Sequence, residues 1–223
     1  MERWSALGNV YLIGEQVPED VRSAVGDADG IVEVVDRAED WADVRIWNPD
    51  GSLAEMSGNG TRIAARWLSA RTGRERVTIR VGPREVQARM MPQNLVEQDL
   101  GEVEVSEPEQ IAGLTVTRVS VGNPHAVARG DPDELPKVGP LLETHEAFPE
   151  RTNVQVARAD GPHEASARVW ERGVGETASS GTSAVAVAAA LGLNPATIRF
   201  PGGELLVRFE GARAYLTGPA DRV

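Results

Sequence analysis

The chain has 223 residues, of which 41% are hydrophobic and 26% are charged, and its formal net charge at neutral pH is −11. This balance is typical of globular proteins with a sizeable core, and the acidity argues against nucleic acid as a partner. There are no cysteines, which excludes disulfides, zinc thiolates and thiol catalysis in this chain. The longest run of small apolar residues, 184–193, is far shorter than the roughly 20 residues that span a bilayer, and no signal-peptide pattern opens the sequence. We therefore expect a cytoplasmic protein that does not contact a membrane.

Ten segments are rich in β-branched and apolar residues and are bounded by Gly, Pro, Asp or Asn, a pattern that predicts strands. They lie at 9–13, 30–35, 42–47, 76–81, 101–106, 114–121, 152–157, 166–170, 197–200 and 204–210. Two longer segments, at about 58–71 and 181–192, have the pattern of helices, and short helices are expected near 18–25 and 132–146. The mixture predicts an α+β fold rich in strands.

The chain contains an internal repeat. The stretch RIWNPDGSLAEMSGNG (45–60) aligns with RVWERGVGETASSGTS (168–183), so that Ser57 matches Ser180, and LGN at 7–9 similarly matches VGN at 121–123. Two copies of one unit predict two facing lobes with a site between them. We expect an N-terminal lobe at 1–108, a C-terminal lobe at 109–213, and a tail at 214–223 that returns to the N-terminal lobe.

In each copy a Ser-Gly pair enters a helix rich in alanine. The free backbone N–H groups at a helix N-terminus favour an anion such as a carboxylate. Two such termini facing each other would hold a carboxylate and place Ser57 and Ser180 on opposite faces of one carbon. That geometry would remove a proton from one face and return one to the other. Serine is also a favoured N-cap, and capping alone explains most serines found before a helix.

Cofactor patterns are weak. The stretch GVGETA (173–178) fits a loose dinucleotide-binding pattern, but the acidic residue expected about 20 positions further on is missing. The histidines, His125, His145 and His163, do not have metal-ligand spacing. We expect neither a metal nor an organic cofactor.

Five motifs, in order, resemble those of diaminopimelate epimerases: NPDGSLAEMSGNGTR (48–62), VGNPHAV (121–127), FPERTNVQ (148–155), ERGVGETASSGTSA (171–184) and PGGEL (201–205). The resemblance covers nearly the whole chain. It implies two pseudo-symmetric lobes, each a mostly antiparallel, barrel-like sheet around a central helix, and a homodimer. It also implies epimerisation of LL- to meso-diaminopimelate in lysine biosynthesis by two-base proton transfer, without pyridoxal phosphate or metal.

The resemblance also implies roles for individual residues. The substrate-binding asparagines would be Asn9, Asn48, Asn123 and Asn153. Glu171 and Arg172 would hold the distal amino-acid end of the substrate. Four residues would surround the α-carboxylate at the helix N-termini: Gly58, Asn59, Gly181 and Thr182. His125 and Glu171 would lie beside the acid–base pair, although Asn and Gly in such turns also satisfy loop geometry alone.

The chain departs from the family where the chemistry is done, because serine stands at both catalytic cysteine positions, Ser57 and Ser180. An alcohol is a far weaker acid than a thiol, so we expect low or absent activity. A natural variant, a deliberate replacement and removal of every cysteine all explain the serines equally well. Two other functions also stay open: a non-catalytic amino-acid binder, and an epimerase or isomerase of another amino acid that uses His125 or Glu171 as base.

Overall fold

A computed structural model describes all 223 residues, and the chain divides into two units. Unit 1 comprises Met1–Asp99 and Thr217–Val223, and unit 2 comprises Leu100–Leu216. These limits differ from the lobe limits expected from the repeat, 1–108 and 109–213. The chain passes from one unit to the other within a strand both times, and an alignment of the repeats does not locate such points. The carboxyl end of the chain belongs to unit 1.

Unit 1 consists of seven strands and two helices in its first segment. They are β1 (Glu2–Ala6), β2 (Asn9–Gly14), α1 (Val21–Val25), β3 (Gly30–Arg37), β4 (Trp41–Trp47), α2 (Gly58–Thr72), β5 (Arg76–Val81), β6 (Arg84–Met90) and β7 (Leu95–Glu102). The last of these strands carries the chain into unit 2.

Unit 2 has a similar succession of elements. They are β8 (Glu104–Val105), β9 (Glu109–Ile111), β10 (Leu114–Ser120), β11 (Pro124–Arg129), a 3₁₀ turn (Pro132–Glu134), α3 (Leu135–Glu143), β12 (Asn153–Gly161), β13 (Glu164–Glu171), β14 (Gly175–Thr177), α4 (Gly181–Leu191), β15 (Ala196–Phe200), β16 (Gly203–Glu210) and β17 (Arg213–Pro219). Strand β17 returns the chain to unit 1, where β18 (Asp221–Arg222) pairs with β1.

The two units have the same strand pairing. In unit 1, β1 to β5 pair successively as antiparallel, parallel, antiparallel and parallel neighbours, and β6 then pairs antiparallel with β5. In unit 2, β10, β11, β12, β13, β15 and β16 follow the same sequence of pairings. Each parallel pair is joined by a connection that contains a helix, as parallel strands require. The internal repeat read from the sequence is therefore a repeat of topology.

Each unit buries its longest helix among its own strands. Helix α2 contacts β1 to β6, and helix α4 contacts β10 to β13 together with β15 and β16. Eleven of the 15 residues of α2 and nine of the 11 residues of α4 are buried. Helix α4 achieves this because it consists only of Gly, Thr, Ser, Ala, Val and Leu, so that no long polar side chain needs solvent. The predicted α+β fold with a central helix in each unit is confirmed.

Most predicted elements occur within a few residues of their expected limits, but the strand expected at 101–106 is divided between the end of β7 and the short β8. Strand β7 already begins at Leu95, and only the short pair Glu104–Val105 continues beyond it. In β7 the buried positions alternate as Val96, Gln98 and Leu100. A buried glutamine in that series hides the apolar alternation by which a strand is recognised. None of the helices combines the length and apolar character needed to cross a membrane.

Candidate active site

Ser57 is the residue that opens α2, and its hydroxyl is the N-cap of the helix. Its backbone is extended (φ −136°, ψ 115°), and its Oγ accepts a hydrogen bond from the Gly60 N–H at 3.0 Å. The hydroxyl of Tyr11, on β2, lies 3.2 Å from the same oxygen. The capping role that the sequence allows is therefore confirmed for Ser57.

Ser180 opens α4 with the same extended backbone (φ −147°, ψ 129°), but its side chain makes no capping hydrogen bond. It is buried, with 7% of its surface exposed, and the two helical residues that follow it, Gly181 and Thr182, are buried as well. The two serines of the repeat therefore have the same extended backbone conformation, but only the Ser57 hydroxyl accepts a hydrogen bond from its helix. Capping explains Ser57 and leaves Ser180 without that explanation.

Two of the expected substrate-binding asparagines contact each other at the start of α2. Asn59 donates from Nδ2 to Oδ1 of Asn9 at 2.9 Å, and both side chains are buried. Gly58, which precedes Asn59 in the first turn, is also buried. The structure thus brings Asn9, at the start of β2, to the helix N-terminus that Ser57 caps.

Arg62 lies one turn further along α2 and is wholly buried. Its Nη2 donates to Oδ1 of Asn59 at 2.8 Å, and its Nε donates to the carbonyl of Pro219 at 2.9 Å. Its Nη1 has no hydrogen-bond partner. Burial lowers the pKa of Arg62 to about 10, so the guanidinium stays charged at neutral pH. The Arg62 cation is therefore buried against Asn59, and the oxygens that accept its hydrogen bonds are uncharged.

A buried glutamine from β7 completes this region of unit 1. When the amide nitrogen of Gln98 donates to the Gly58 carbonyl at 3.0 Å, its oxygen accepts from the Arg62 backbone N–H at 3.1 Å and from the Thr61 hydroxyl at 2.7 Å. This orientation satisfies both ends of the amide. Gln98 thereby ties β7 to the first turns of α2.

In unit 2 the repeat counterpart of Asn9 is Asn123, and a histidine holds it. His125 Nε2 lies 2.9 Å from Asn123 Oδ1, and His125 Nδ1 lies 3.0 Å from Gln155 Nε2. An amide nitrogen can only donate, so Nδ1 accepts and the ring proton sits on Nε2. Gln155 also donates to Ser183 Oγ at 2.9 Å, and Asn123 Nδ2 approaches Thr182 Oγ1 at 3.5 Å. A chain of polar side chains thus connects α4 to Asn123.

The surroundings of His125 keep its ring neutral. Burial lowers the pKa of His125 to about 3; the charge of Arg172 acts in the same direction, and the contact with Gln155 acts in the opposite one. Both ring nitrogens already take part in hydrogen bonds. This arrangement favours His125 as a group that positions Asn123, while its role as a base remains a prediction.

Three further expected residues lie together at the end of β13. Asn153 Oδ1 accepts from the Arg172 N–H at 3.0 Å, and Asn153 Nδ2 donates to the Pro124 carbonyl at 2.9 Å. The Arg172 guanidinium contacts the Glu150 carbonyl at 3.3 Å, and Oε1 of Glu171 accepts from the Thr177 hydroxyl at 2.6 Å. Asn153 therefore fixes the backbone of Arg172 and links it to β11.

Asn48 is another expected substrate-binding residue of unit 1, and that role stays a prediction. It follows β4 in a tight turn, where its Nδ2 donates to Ser52 Oγ at 3.0 Å and its N–H donates to the Ser52 carbonyl at 2.8 Å. None of its hydrogen bonds reaches the start of α2. Turn geometry accounts for these contacts of Asn48.

Sequence reasoning missed five side chains that support these residues: Tyr11, Arg62, Gln98, Gln155 and Ser183. Three of them carry a signal in their spacing. Tyr11 and Gln155 each lie two residues after an expected site residue in the same strand, Asn9 and Asn153, and Arg62 lies three residues after Asn59 in a helix, so each shares a face with that residue. Ser183 directly follows Thr182 in α4 and Gln98 comes from β7, and only the fold shows what these two contact.

The different contacts of the two serines predict different effects of their removal. Ser57→Ala should lower the free energy of unfolding by about 1 kcal/mol, the usual loss for an N-cap. Ser180→Ala should cost clearly less, because no capping bond is removed. Urea unfolding of the two variants beside the parent measures this difference. Equal losses would contradict the assignment of the cap to Ser57 alone.

Known proteins that are similar to this chain identify its family and its fold. A sequence model of the family described as diaminopimelate epimerase matches residues 117–223. A diaminopimelate epimerase from Pelotomaculum thermopropionicum is 37% identical over an alignment that covers 88% of this chain and 81% of the relative. Among solved structures, a protein described as a predicted epimerase from Pseudomonas aeruginosa has a TM-score of 0.79 at 15% identity, covering 100% of this chain and 96% of its own. A hydroxyproline epimerase from Agrobacterium vitis, with bound trans-4-hydroxy-L-proline, has a TM-score of 0.76 at 15% identity, covering 100% and 88%. The two structures establish the fold, and the close sequence relative establishes the family: this chain belongs to the diaminopimelate epimerases.

Proposed function

We propose that this chain binds diaminopimelate and has the site of an isomerase that interconverts its LL and meso forms in lysine biosynthesis without pyridoxal phosphate. The observation that carries the proposal is the buried pair Asn9 and Asn59, joined at 2.9 Å at the N-terminus of a buried helix. Amide groups and the free N–H groups of a helix N-terminus suit the carboxylate of an amino acid. The related epimerase from Pelotomaculum supports diaminopimelate as that amino acid.

In this proposal Ser57 and Ser180 occupy the positions from which a proton is removed and returned. A cysteine thiol, with an ordinary pKa near 8.5, becomes a usable base at a helix N-terminus. A serine needs an adjacent base before it reacts. The hydrogen bonds of the Ser57 hydroxyl are to the Tyr11 hydroxyl and the Gly60 N–H, neither of which is a base at neutral pH. We therefore propose that this form binds its substrate and turns it over slowly or not at all.

The second candidate function is a non-catalytic amino-acid binder. The capping bond of Ser57 favours it, because a hydroxyl that accepts from a backbone N–H serves the helix. An isomerase of another amino acid, with His125 or Glu171 as base, is the third. Both ring nitrogens of His125 take part in hydrogen bonds, and Glu171 Oε1 accepts from the Thr177 hydroxyl.

Substrate preference is the first test. Diaminopimelate should bind more tightly than lysine or alanine, because we assign its second amino-acid end to Glu171 and Arg172. Arg172→Ala should weaken the binding of diaminopimelate by roughly tenfold or more, since a charge-assisted contact is lost. Isothermal titration calorimetry of the parent and the variant measures both effects.

Arg158→Ala is the matched control, because Arg158 is an exposed arginine of the same unit with ion pairs to Asp131 and Asp160 only. It should leave binding unchanged. Equal affinities for diaminopimelate and lysine would contradict the substrate assignment, and so would an Arg172→Ala variant that binds like the parent.

Restoring the thiols tests the chemistry. The double change Ser57→Cys with Ser180→Cys should raise epimerisation of diaminopimelate by roughly 100-fold or more over either single change, because one group must accept a proton while the other donates one. The rate should rise with pH as one thiol ionises and fall as the second does, with apparent pKa values that belong to the pair. A coupled optical assay across pH measures this. A double variant that binds diaminopimelate and does not epimerise it would contradict the assignment of these two positions.

We also propose that the protein is cytoplasmic, as expected from its sequence pattern, and that it forms a homodimer, as its family resemblance implies. Multi-angle light scattering should give twice the mass of one chain at micromolar concentration. A mass equal to that of a single chain at the highest soluble concentration would contradict the dimer and leave the proposed chemistry untouched.

A further inference from the structure

Arg62 is a buried cation without an anion. Its side chain has no exposed surface, and its hydrogen bonds are to the Pro219 carbonyl and the Asn59 amide oxygen. No carboxylate contributes to the shift of its pKa, which burial alone lowers. Its Nη1 is buried without a partner. Burying a charge in this way costs several kcal/mol in general, so a guanidinium at this position calls for an explanation beyond packing.

The guanidinium determines how two amides are oriented. Arginine has only donors, so the side of Asn59 that faces Arg62 must be its oxygen. The amide nitrogen of Asn59 then points to Asn9, and the side of Asn9 that receives it must be an oxygen. The guanidinium thus fixes the orientation of both amides. The oxygen of Asn9 accepts from Asn59, and the nitrogen of Asn9 points away from Asn59.

We propose that Arg62 is a positioning residue that holds Asn59 and, through it, orients the amide of Asn9 for a bound carboxylate. The inference rests on the proposed function, in which these two asparagines bind the substrate. Nη2 of Arg62 lies 2.8 Å from the amide oxygen of Asn59. Its positive charge adds to the partial positive charge of the α2 N-terminus and favours an anion there. Arg62 itself acts through Asn59.

The experiment combines calorimetry with NMR of side-chain amide groups. In Arg62→Met, the Asn59 and Asn9 amide resonances should shift, and affinity for diaminopimelate should fall by roughly tenfold or more, as expected when a hydrogen bond to a charged group is lost. Arg62→Lys, which keeps the charge but lacks the fork that reaches two oxygens, should recover part of the affinity. Arg66→Met is the control, since Arg66 is on the same helix and donates to the amide oxygen of Asn94. It should leave the two resonances and the affinity unchanged.

Asn59→Asp keeps the test decisive if Arg62→Met does not fold. It gives Arg62 a carboxylate partner and removes the donor to Asn9, so the fold should persist while affinity falls by roughly tenfold or more. Affinity equal to that of the parent in folded Arg62→Met or in Asn59→Asp would overturn the proposal. If the parent itself does not bind diaminopimelate, the proposed function fails. The resonances then decide alone, and unchanged Asn59 and Asn9 signals in Arg62→Met or Arg62→Lys would overturn the positioning role.

Discussion

The structure depends on one constraint, which is that each unit buries a helix together with its first turn. The first N–H groups of a helix have no partner inside the helix, and a buried helix cannot leave all of them to water. In unit 1 the Ser57 hydroxyl accepts one of them. In unit 2 the equivalent serine makes no such bond. The equivalent N-termini of α2 and α4 therefore differ in whether the serine caps the helix. Ser57 has this structural role, and capping does not explain Ser180.

The asparagines at the two helix ends are also held by different means. In unit 1, Asn9 accepts from Asn59, which Arg62 orients. In unit 2, Asn123 accepts from His125, which Gln155 orients. In unit 1 a charged guanidinium, acting through Asn59, orients the asparagine, and in unit 2 a neutral imidazole orients it directly. Because both chains of contacts begin with a group that must donate, the amide oxygen of each repeat-related asparagine is occupied from behind. In both units the asparagine nitrogen therefore points away from the group that holds its oxygen.

Much of the fold could be predicted from the sequence, because the strongest signals are local. The Ser-Gly pairs locate the starts of α2 and α4, and the glycines after them, Gly73 and Gly192, adopt the left-handed conformation that ends a helix. Strand β11 was not predicted because β10 and β12 flank it and its residues 125–128 are all buried, which removes the alternation of a half-exposed strand.

The supporting side chains of the site could be predicted only in part. The asparagines followed from the family resemblance, residue by residue. Gln98 lies on β7, which carries no expected site residue, and the contact between Gln155 on β12 and Ser183 on α4 exists only once that helix packs against that strand. In the sequence, a glutamine that will be buried interrupts the apolar pattern of a strand. In the folded protein, Gln98 bonds to the first turns of α2 and Gln155 bonds to His125, and these contacts depend on tertiary packing.

We propose above that residues 57 and 180 exchange protons with one carbon of diaminopimelate and that the serines lack only the acidity to do so. The most direct test follows deuterium at the α-carbon during early turnover in deuterated water, by NMR, with the Ser57→Cys and Ser180→Cys changes combined and the serine parent beside it. We expect deuterium in the epimerised product of the double variant, little deuterium in its unreacted substrate, and little in either species with the parent. Equal deuterium in product and recovered substrate would contradict two separate bases. Rapid exchange by the parent would contradict the loss of acidity.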